Sequence, residues 1–150
     1  MVNIKLTVIA LLFFSLATLS SFAQKVIVQS PNQKIKVSLF SSQNIDASEW
    51  YINASYINDG KTAEAIPRID LGLSRSDEDF AKELKFLKAS KPLLIKEQYT
   101  AIHGKKSACT DSANEVVVSF ENPSKSKLYI IIRAYNDGIA FRYGMNGDKH

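Results

Sequence analysis

The feature that most constrains this chain is an alternating strand pattern that runs into a tight-turn signal. Residues 127–135 place apolar side chains on one face at every second position: Leu128, Ile130, Ile132 and Ala134. The opposite face is also largely apolar, which predicts a central strand that is covered on two sides. Asn136, Asp137 and Gly138 follow, and an Asp-Gly step between apolar runs is a strong hairpin signal. Residues 139–144 are therefore predicted to pair back antiparallel.

Short β-type segments recur along the rest of the chain. The predicted strands are Val26–Val28, Lys34–Leu39, Trp50–Ile57, Lys61–Ile66, Ile69–Leu73, Leu93–Ile102 and Glu115–Phe120. Asn58-Asp59-Gly60 supplies a second turn, and Pro67 is predicted to mark a strand edge or break. About seven to nine short strands at this spacing predict an all-β, antiparallel β-sandwich with at most one short helix.

Residues 76–90 are ambiguous between helix and strand. Ser76 followed by Asp79 resembles a capping box, and propensity alone favours a helix. Residues 84–88 alternate equally well as a strand. The three acidic residues 77–79 look superficially like a calcium loop, but they lack its glycine and its distal glutamate, so a solvated helix start is favoured.

The N-terminus resembles a secretory signal peptide. An apolar run from Leu6 to Leu19 ends in Ser21-Phe22-Ala23, a small-x-small cleavage pattern. The run is short for a membrane span, which needs about 20 residues. We therefore expect residues 1–23 to be removed, leaving residues 24–150 as one exported domain that is no longer attached to a membrane.

Composition argues against several functional classes. The net charge is +4 and the basic residues are scattered, so no basic stripe for nucleic acid is visible. His103 and His150 are the only histidines, and no Cys/His spacing fits zinc. There is no serine-elbow motif and no glycine-rich phosphate loop. Cys109 could be a reactive thiol or pair with His103, but a packed cysteine is the commoner outcome.

Several stretches, taken in order, resemble the N-terminal domain of glycoside hydrolase family 97. The most specific is the hairpin Ile131–Tyr143, with the sequence IIRAYNDGIAFRY. The supporting stretches are residues 30–37, 50–61, 71–73, 99–105 and 113–115. Because the counterpart of residues 84–90 in that family resembles a strand, we expect no more than a short helical turn at 77–83.

This resemblance implies an exported bacterial α-glucosidase or α-galactosidase, periplasmic or secreted. Family members have an N-terminal β-super-sandwich, a catalytic (β/α)8 barrel and a C-terminal β-domain. Their catalytic carboxylates lie in the barrel, with a calcium ion nearby. The resemblance implies that this chain ends before any barrel and before the sandwich of the family is complete. No catalytic residue and no calcium ligand therefore transfers to it, and the chain alone is expected to be inactive.

The leading hypothesis is thus a non-catalytic domain that packs on a barrel in cis and helps to shape a cleft for an α-linked glucoside or galactoside. His103, Lys105, Asn114 and Glu115 are the residues expected to face that cleft. Asn136, Asp137 and Gly138 are expected to be structural. An uncovered apolar sheet face would favour this hypothesis.

The alternative is a free-standing carbohydrate-binding or adhesive sandwich. It requires a closed pair of sheets and an exposed aromatic platform. The candidates for that platform are Trp50, Tyr51 and Tyr56, although aromatic residues in strands are more often buried.

Overall fold

A computed structural model describes residues 23–44, 47–100 and 108–145, and all the regular secondary structure in these ranges is β-strand. The strands are β1 Ala23–Gln29, β2 Ile35–Asn44, β3 Ala47–Asn58, β4 Lys61–Leu71, β5 Lys85–Ala89, β6 Leu93–Thr100, β7 Ala108–Glu121, β8 Lys127–Tyr135 and β9 Ile139–Met145. The predicted signal peptide falls almost wholly outside the described residues.

The strands form two antiparallel sheets. The first has the order β1-β2-β3-β4, and the second has the order β5-β7-β8-β9 with β6 also paired to β7. β5 pairs with the C-terminal end of β7, where Ala89 lies opposite Val118, and β6 pairs with its N-terminal half, where Leu93 lies opposite Glu115. The predicted class, an all-β antiparallel sandwich, is confirmed.

The core lies between the two sheets. It is built from inward-facing strand residues and from two residues of the β4–β5 connection: Val28, Val37, Leu39, Trp50, Ile52, Leu71, Phe80, Leu84, Val116, Val118, Phe120, Leu128, Ile130, Ile132 and Ala134. Trp50 shows how tightly the layers meet. Its ring stacks on Phe86 at 5.7 Å and meets the edge of Phe120 at 5.0 Å, while its Nε1–H donates to the carbonyl of Leu84 at 2.8 Å.

Strand β8 has the predicted core face, because all four alternating residues from Leu128 to Ala134 are buried. It lies between β7 and β9, as a central strand should. Its other face is only partly covered. Ile131 is buried there among its neighbours, whereas Arg133 and Tyr135 remain half-exposed. The polar side chains of that outer face therefore remain accessible to a ligand or a partner surface.

Two tight turns were predicted, and they form in different ways. In the β3–β4 hairpin, Asp59 and Gly60 both have positive φ, at 49° and 74°, which is the geometry of a type I′ turn. In the β8–β9 hairpin the Tyr135 N–H donates to the Gly138 carbonyl at 2.8 Å, so Asn136 and Asp137 are the central residues. Gly138 does not have a positive φ.

Strand β4 corrects the prediction of two separate segments, because residues 61–71 form one continuous edge strand. The pairing with β3 shifts register on either side of Ile66, so extra residues bulge out next to Pro67. A proline at a bulge of an edge strand costs no ladder hydrogen bond. Pro67 therefore marks an edge, and it does not break the strand.

The predicted capping box at Ser76 and Asp79 is wrong. Asp79 Oδ1 instead accepts from Ser74 Oγ at 2.7 Å and from the Ala81 N–H at 2.9 Å, in a bend that continues without a helix to β5. The hydrogen bond from the Ala81 N–H, followed by that from Ser74, lowers the pKa of Asp79. Propensity favoured a helix, but contacts with the rest of the fold decide this segment.

One of those contacts is the hub formed by Asn122. Its buried side chain donates to Glu78 Oε2 at 2.7 Å and to the Asp79 carbonyl at 3.1 Å, and its Oδ1 accepts from the Ser126 N–H at 2.8 Å. Ser126 Oγ donates to the other oxygen of the Glu78 carboxylate at 2.7 Å. The β7–β8 turn thereby holds the β4–β5 connection in its bent form.

Candidate functional surface on the outer face of the second sheet

The outer face of the second sheet carries a polar cluster centred on Arg133. Strand pairing places Arg133 of β8 opposite Glu115 of β7 and Ala140 of β9. Arg133 Nε donates to Glu115 Oε2 at 2.6 Å, and Nη1 donates to Glu97 Oε1 of β6, also at 2.6 Å. One guanidinium thus joins three neighbouring strands.

Tyr135 completes this cluster. Arg133 Nη1 also donates to the Tyr135 hydroxyl at 3.3 Å. Hydrogen bonds to Tyr135, Glu115 and Glu97 raise the pKa of Arg133 further above its already high ordinary value. The side chains of Arg133 and Glu115 are only 25% and 17% exposed, so their ion pair is shielded from water more than a surface pair is. The result is a fixed, charged group on an otherwise open sheet face.

Beside this cluster lies a shallow depression of about 110 Å³. Its lining comes entirely from β8 and β9: Ile131, Arg133, Tyr135, Ala140, Phe141 and Arg142. Polar guanidinium and hydroxyl groups therefore border an apolar floor, a combination that suits a neutral, hydroxyl-rich ligand or a packed polypeptide surface.

The residues predicted to face a cleft do not come together. Glu115 belongs to the Arg133 cluster on the outer face. Asn114 lies on the opposite face of β7, where its Nδ2 donates to the Gln29 carbonyl of β1 at 2.8 Å and links the two sheets. His103 and Lys105 lie outside the described residues. Neighbouring positions on a strand point to opposite faces, which is why the pair Asn114-Glu115 separates.

Arg133, Glu97 and Tyr135 were missed at the sequence level. Arg133 carried a usable signal, because after Lys127 at the start of the strand it is the one charge on β8, whose two faces are otherwise largely apolar. Its partners carried no such signal, since Glu97 lies 36 residues away along the chain. Only the pairing of β6, β7 and β8 reveals that they meet.

The turn residues connect the two sheets at one end of the sandwich. Asn136 Oδ1 accepts from the backbone N–H of Asn32, in the β1–β2 turn, at 2.9 Å.

Asp137 contributes negative potential near Tyr99, whose pKa is raised chiefly by Cys109. Cys109 is half-buried beside Tyr99 and forms a hydrogen bond with it.

The aromatic platform required by the alternative hypothesis does not form from its three candidates. Trp50 is 5% exposed and belongs to the core. Tyr51 faces the other way, stacked on Phe40 at 5.3 Å and covered by the Arg68 guanidinium at 4.4 Å. Tyr56 is exposed, but six residues separate it from Trp50, which corresponds to about 20 Å along a strand.

The described residues contain no group of three or more His, Cys, Asp or Glu side chains that could hold a metal ion. A search of the same residues for a helix long and apolar enough to cross a membrane finds none.

Together the fold and this surface define a two-sheet antiparallel sandwich whose second sheet has a polar cluster on its outer face. A comparison with protein families identifies its relatives: the description "Glycosyl-hydrolase 97 N-terminal" matches residues 28–150. The chain belongs to this family. A comparison with curated proteins found no match.

Solved structures agree on the fold. The chain is similar to a glycoside hydrolase family 97 enzyme from Pseudoalteromonas sp. strain K8, as an E480Q form in complex with panose, as a complex with acarbose and as an R171K variant. Each has a TM-score of 0.60 and 23% sequence identity, and the match covers 80% of this chain. The match spans only 17% of the length of those enzymes.

Proposed function

We propose that this chain is the non-catalytic N-terminal β-sandwich portion of an exported α-glycosidase. In this proposal it packs on a catalytic barrel and helps to shape the carbohydrate-binding cleft. The family match supports the enzyme class, and the small share of the matched enzymes that it spans supports a partial role. The panose and acarbose complexes of those enzymes support a glycoside as the ligand of the whole protein, and the proposal takes it to be an α-linked glucoside or galactoside.

The Arg133 cluster is the observation that carries this proposal. Two carboxylates and one hydroxyl fix a single guanidinium on an open sheet face. A side chain that is already immobilised loses little further conformational entropy when a partner or a sugar covers it. Charge-assisted hydrogen bonds also hold geometry better than neutral ones. This surface is therefore preorganised for contact, which is what a domain that lines a cleft needs.

The same cluster argues against hydrolysis by this chain alone. Cleaving a glycosidic bond requires two carboxyl groups about 5–10 Å apart on opposite sides of the sugar. Glu97 and Glu115 instead bind the same guanidinium from two adjacent strands, so they do not face each other across a cleft. The reactive acids and the calcium ion of the family would then belong to another part of the whole protein.

Export to the periplasm or the medium is part of the proposal, and the apolar run that ends at Ala23 supports it. The test is N-terminal sequencing of the protein recovered from a bacterial periplasm. Cleavage after Ala23 is the expected result, and an intact N-terminus in the cytoplasmic fraction would contradict export.

Two measurements test the functional assignment. Purified residues 24–150 should show no turnover of aryl α-glucosides or aryl α-galactosides, and measurable turnover would contradict the proposal. The reading frame beyond His150 should continue into a (β/α)8 barrel. A titration with panose distinguishes the proposed function from the alternative. Saturable binding by the isolated chain at micromolar concentration would favour a free-standing carbohydrate-binding module.

A further inference from the structure

Strand β6 leaves an apolar edge open to solvent. Leu93 is 61% exposed, Leu94 50% and Tyr99 57%. Within the described ranges β6 pairs only with β7, so the backbone N–H and C=O groups along its other edge have no strand partner there. An exposed, flat, apolar edge is a template for pairing with another strand.

The edge strand of the first sheet, β4, is protected against pairing with another chain. Edge strand β4 has charged residues along its length, a proline at position 67 and register shifts against β3. These are the usual devices that prevent edge-to-edge association. β6 keeps an unbroken register with β7 from Leu93 to Thr100 and contains no proline. β6 does contain Lys96 and Glu97, and Pro92 directly precedes it, but it has neither the internal proline nor the register shifts of β4, so its edge is less protected than that of β4.

The sequence of β6 is complementary to itself in one antiparallel register. If Leu94 lies on a two-fold axis perpendicular to the sheet, Leu94 pairs with its own copy and Leu93 lies opposite Ile95 of the second copy. Lys91, two residues before Leu93, then lies opposite Glu97 of the second copy. These three apolar residues thus meet apolar residues and Lys91 meets Glu97, twice over, and such cross-strand pairs are stabilising. Lys96 lies opposite Pro92 of the second copy.

We propose that the β6 edge binds a second copy of this chain through antiparallel β6–β6 pairing centred on Leu94. The contact is isologous and closes on itself, so it yields a dimer and no fibre. Glu97 takes part both in this contact and in the Arg133 cluster, so its carboxylate would lie between Arg133 and Lys91 of the second copy. The proposal does not rest on the proposed role beside a barrel.

Charge exchange tests both the contact and its register. In sedimentation equilibrium, Lys91→Glu and Glu97→Lys should each raise the dimer dissociation constant by about tenfold or more, because each places like charges opposite one another twice. An equimolar mixture of these two variants should associate again, since every mixed pair is complementary. Lys61→Glu, on the protected edge strand β4, is the matched control and should dimerise like the unchanged chain.

A covalent trap checks the axis independently of charge and of the Glu97–Arg133 contact. Residues paired with themselves across an antiparallel two-fold have Cα atoms about 4.5–5.5 Å apart, within the range of a disulfide. In a Cys109→Ser background, Leu94→Cys should give a linked dimer on mild oxidation, and Lys96→Cys should give far less. A monomeric unchanged chain, a mixture that fails to associate, or equal linking at both positions would overturn the proposal.

Discussion

Strand β7 passes through two regions of the molecule that differ sharply. Its C-terminal half belongs to the sandwich body, where Val116, Val118 and Phe120 are fully buried between the sheets. Its N-terminal half pairs with β6 to form an arm, which we define as residues 93–100 and 108–112, and in which no residue is buried. The same strand therefore has a closed environment at one end and an open one at the other.

This contrast shows where the chain completes itself and where it does not. An uncovered apolar sheet face would have favoured the hypothesis of a partial sandwich, but the inner faces of both sheets bury each other. Openness is instead found at the arm and on the outer face around Arg133. The body thus resembles an independently stable unit, and the exposed apolar residues of the arm are available to a partner.

The largest expected effect comes from a substitution in the buried core of the sandwich body. Trp50→Ala removes a buried ring together with its hydrogen bond to Leu84, and it should lower the free energy of unfolding by about 3–5 kcal/mol. Leu93→Ala in the arm is the matched control and, at a protein concentration at which the chain is monomeric, should change it by no more than about 0.5 kcal/mol. Urea denaturation measures both. Equal losses would abolish the distinction between body and arm.

The Asn122 hub should give the next largest effect. Asn122→Ala leaves the Glu78 carboxylate and the Ser126 N–H without their buried partner, at a cost of about 1–3 kcal/mol in unfolding free energy. Asn58→Ala, in an exposed turn, is the control. If the two variants unfold at the same urea concentration, the turn of β7–β8 does not hold the β4–β5 connection.

A smaller effect is expected on the outer face. Arg133→Ala removes two partly shielded ion pairs and should cost about 1 kcal/mol in low salt. Arg142→Ala, a neighbouring exposed arginine, should cost less. Because salt screens such pairs, the difference between the two variants should shrink in concentrated NaCl. A difference that does not respond to salt would indicate lost packing as its cause.

The smallest effect concerns pH. The pKa of Asp79 is lowered in the folded chain by hydrogen bonds from Ala81 and Ser74. Its contribution to stability is therefore present above the unfolded pKa of about 4 and is lost as the pH falls through the lower folded value. Between about pH 5 and about pH 2.5, which spans the titration of Asp79, the urea midpoint of Asp79→Asn should fall less steeply than that of the unchanged chain. An unchanged slope would exclude this role.

The sequence was sufficient for features that depend on local pattern. The alternation of residues 127–135 and the turn that follows identified β8 and β9, and the spacing of strands identified the sandwich. It was insufficient where distant residues compete with local preference. The segment at 77–83 has the composition of a helix start, yet Asn122 and Ser126 hold Glu78 in a bend. Arg133 likewise acquires its role only from the register that brings Glu97 and Glu115 beside it.

Hydrogen–deuterium exchange tests the distinction between the closed body and the open arm most directly. The measurement uses the Lys91→Glu chain, because this substitution disfavours β6 pairing between copies. The account predicts that amides of residues 116–120 and 128–134 exchange only through global unfolding. Amides of β6 should exchange far faster, through local opening of the arm. Uniform protection across β6, β7 and β8 would contradict the division into a closed body and an open arm.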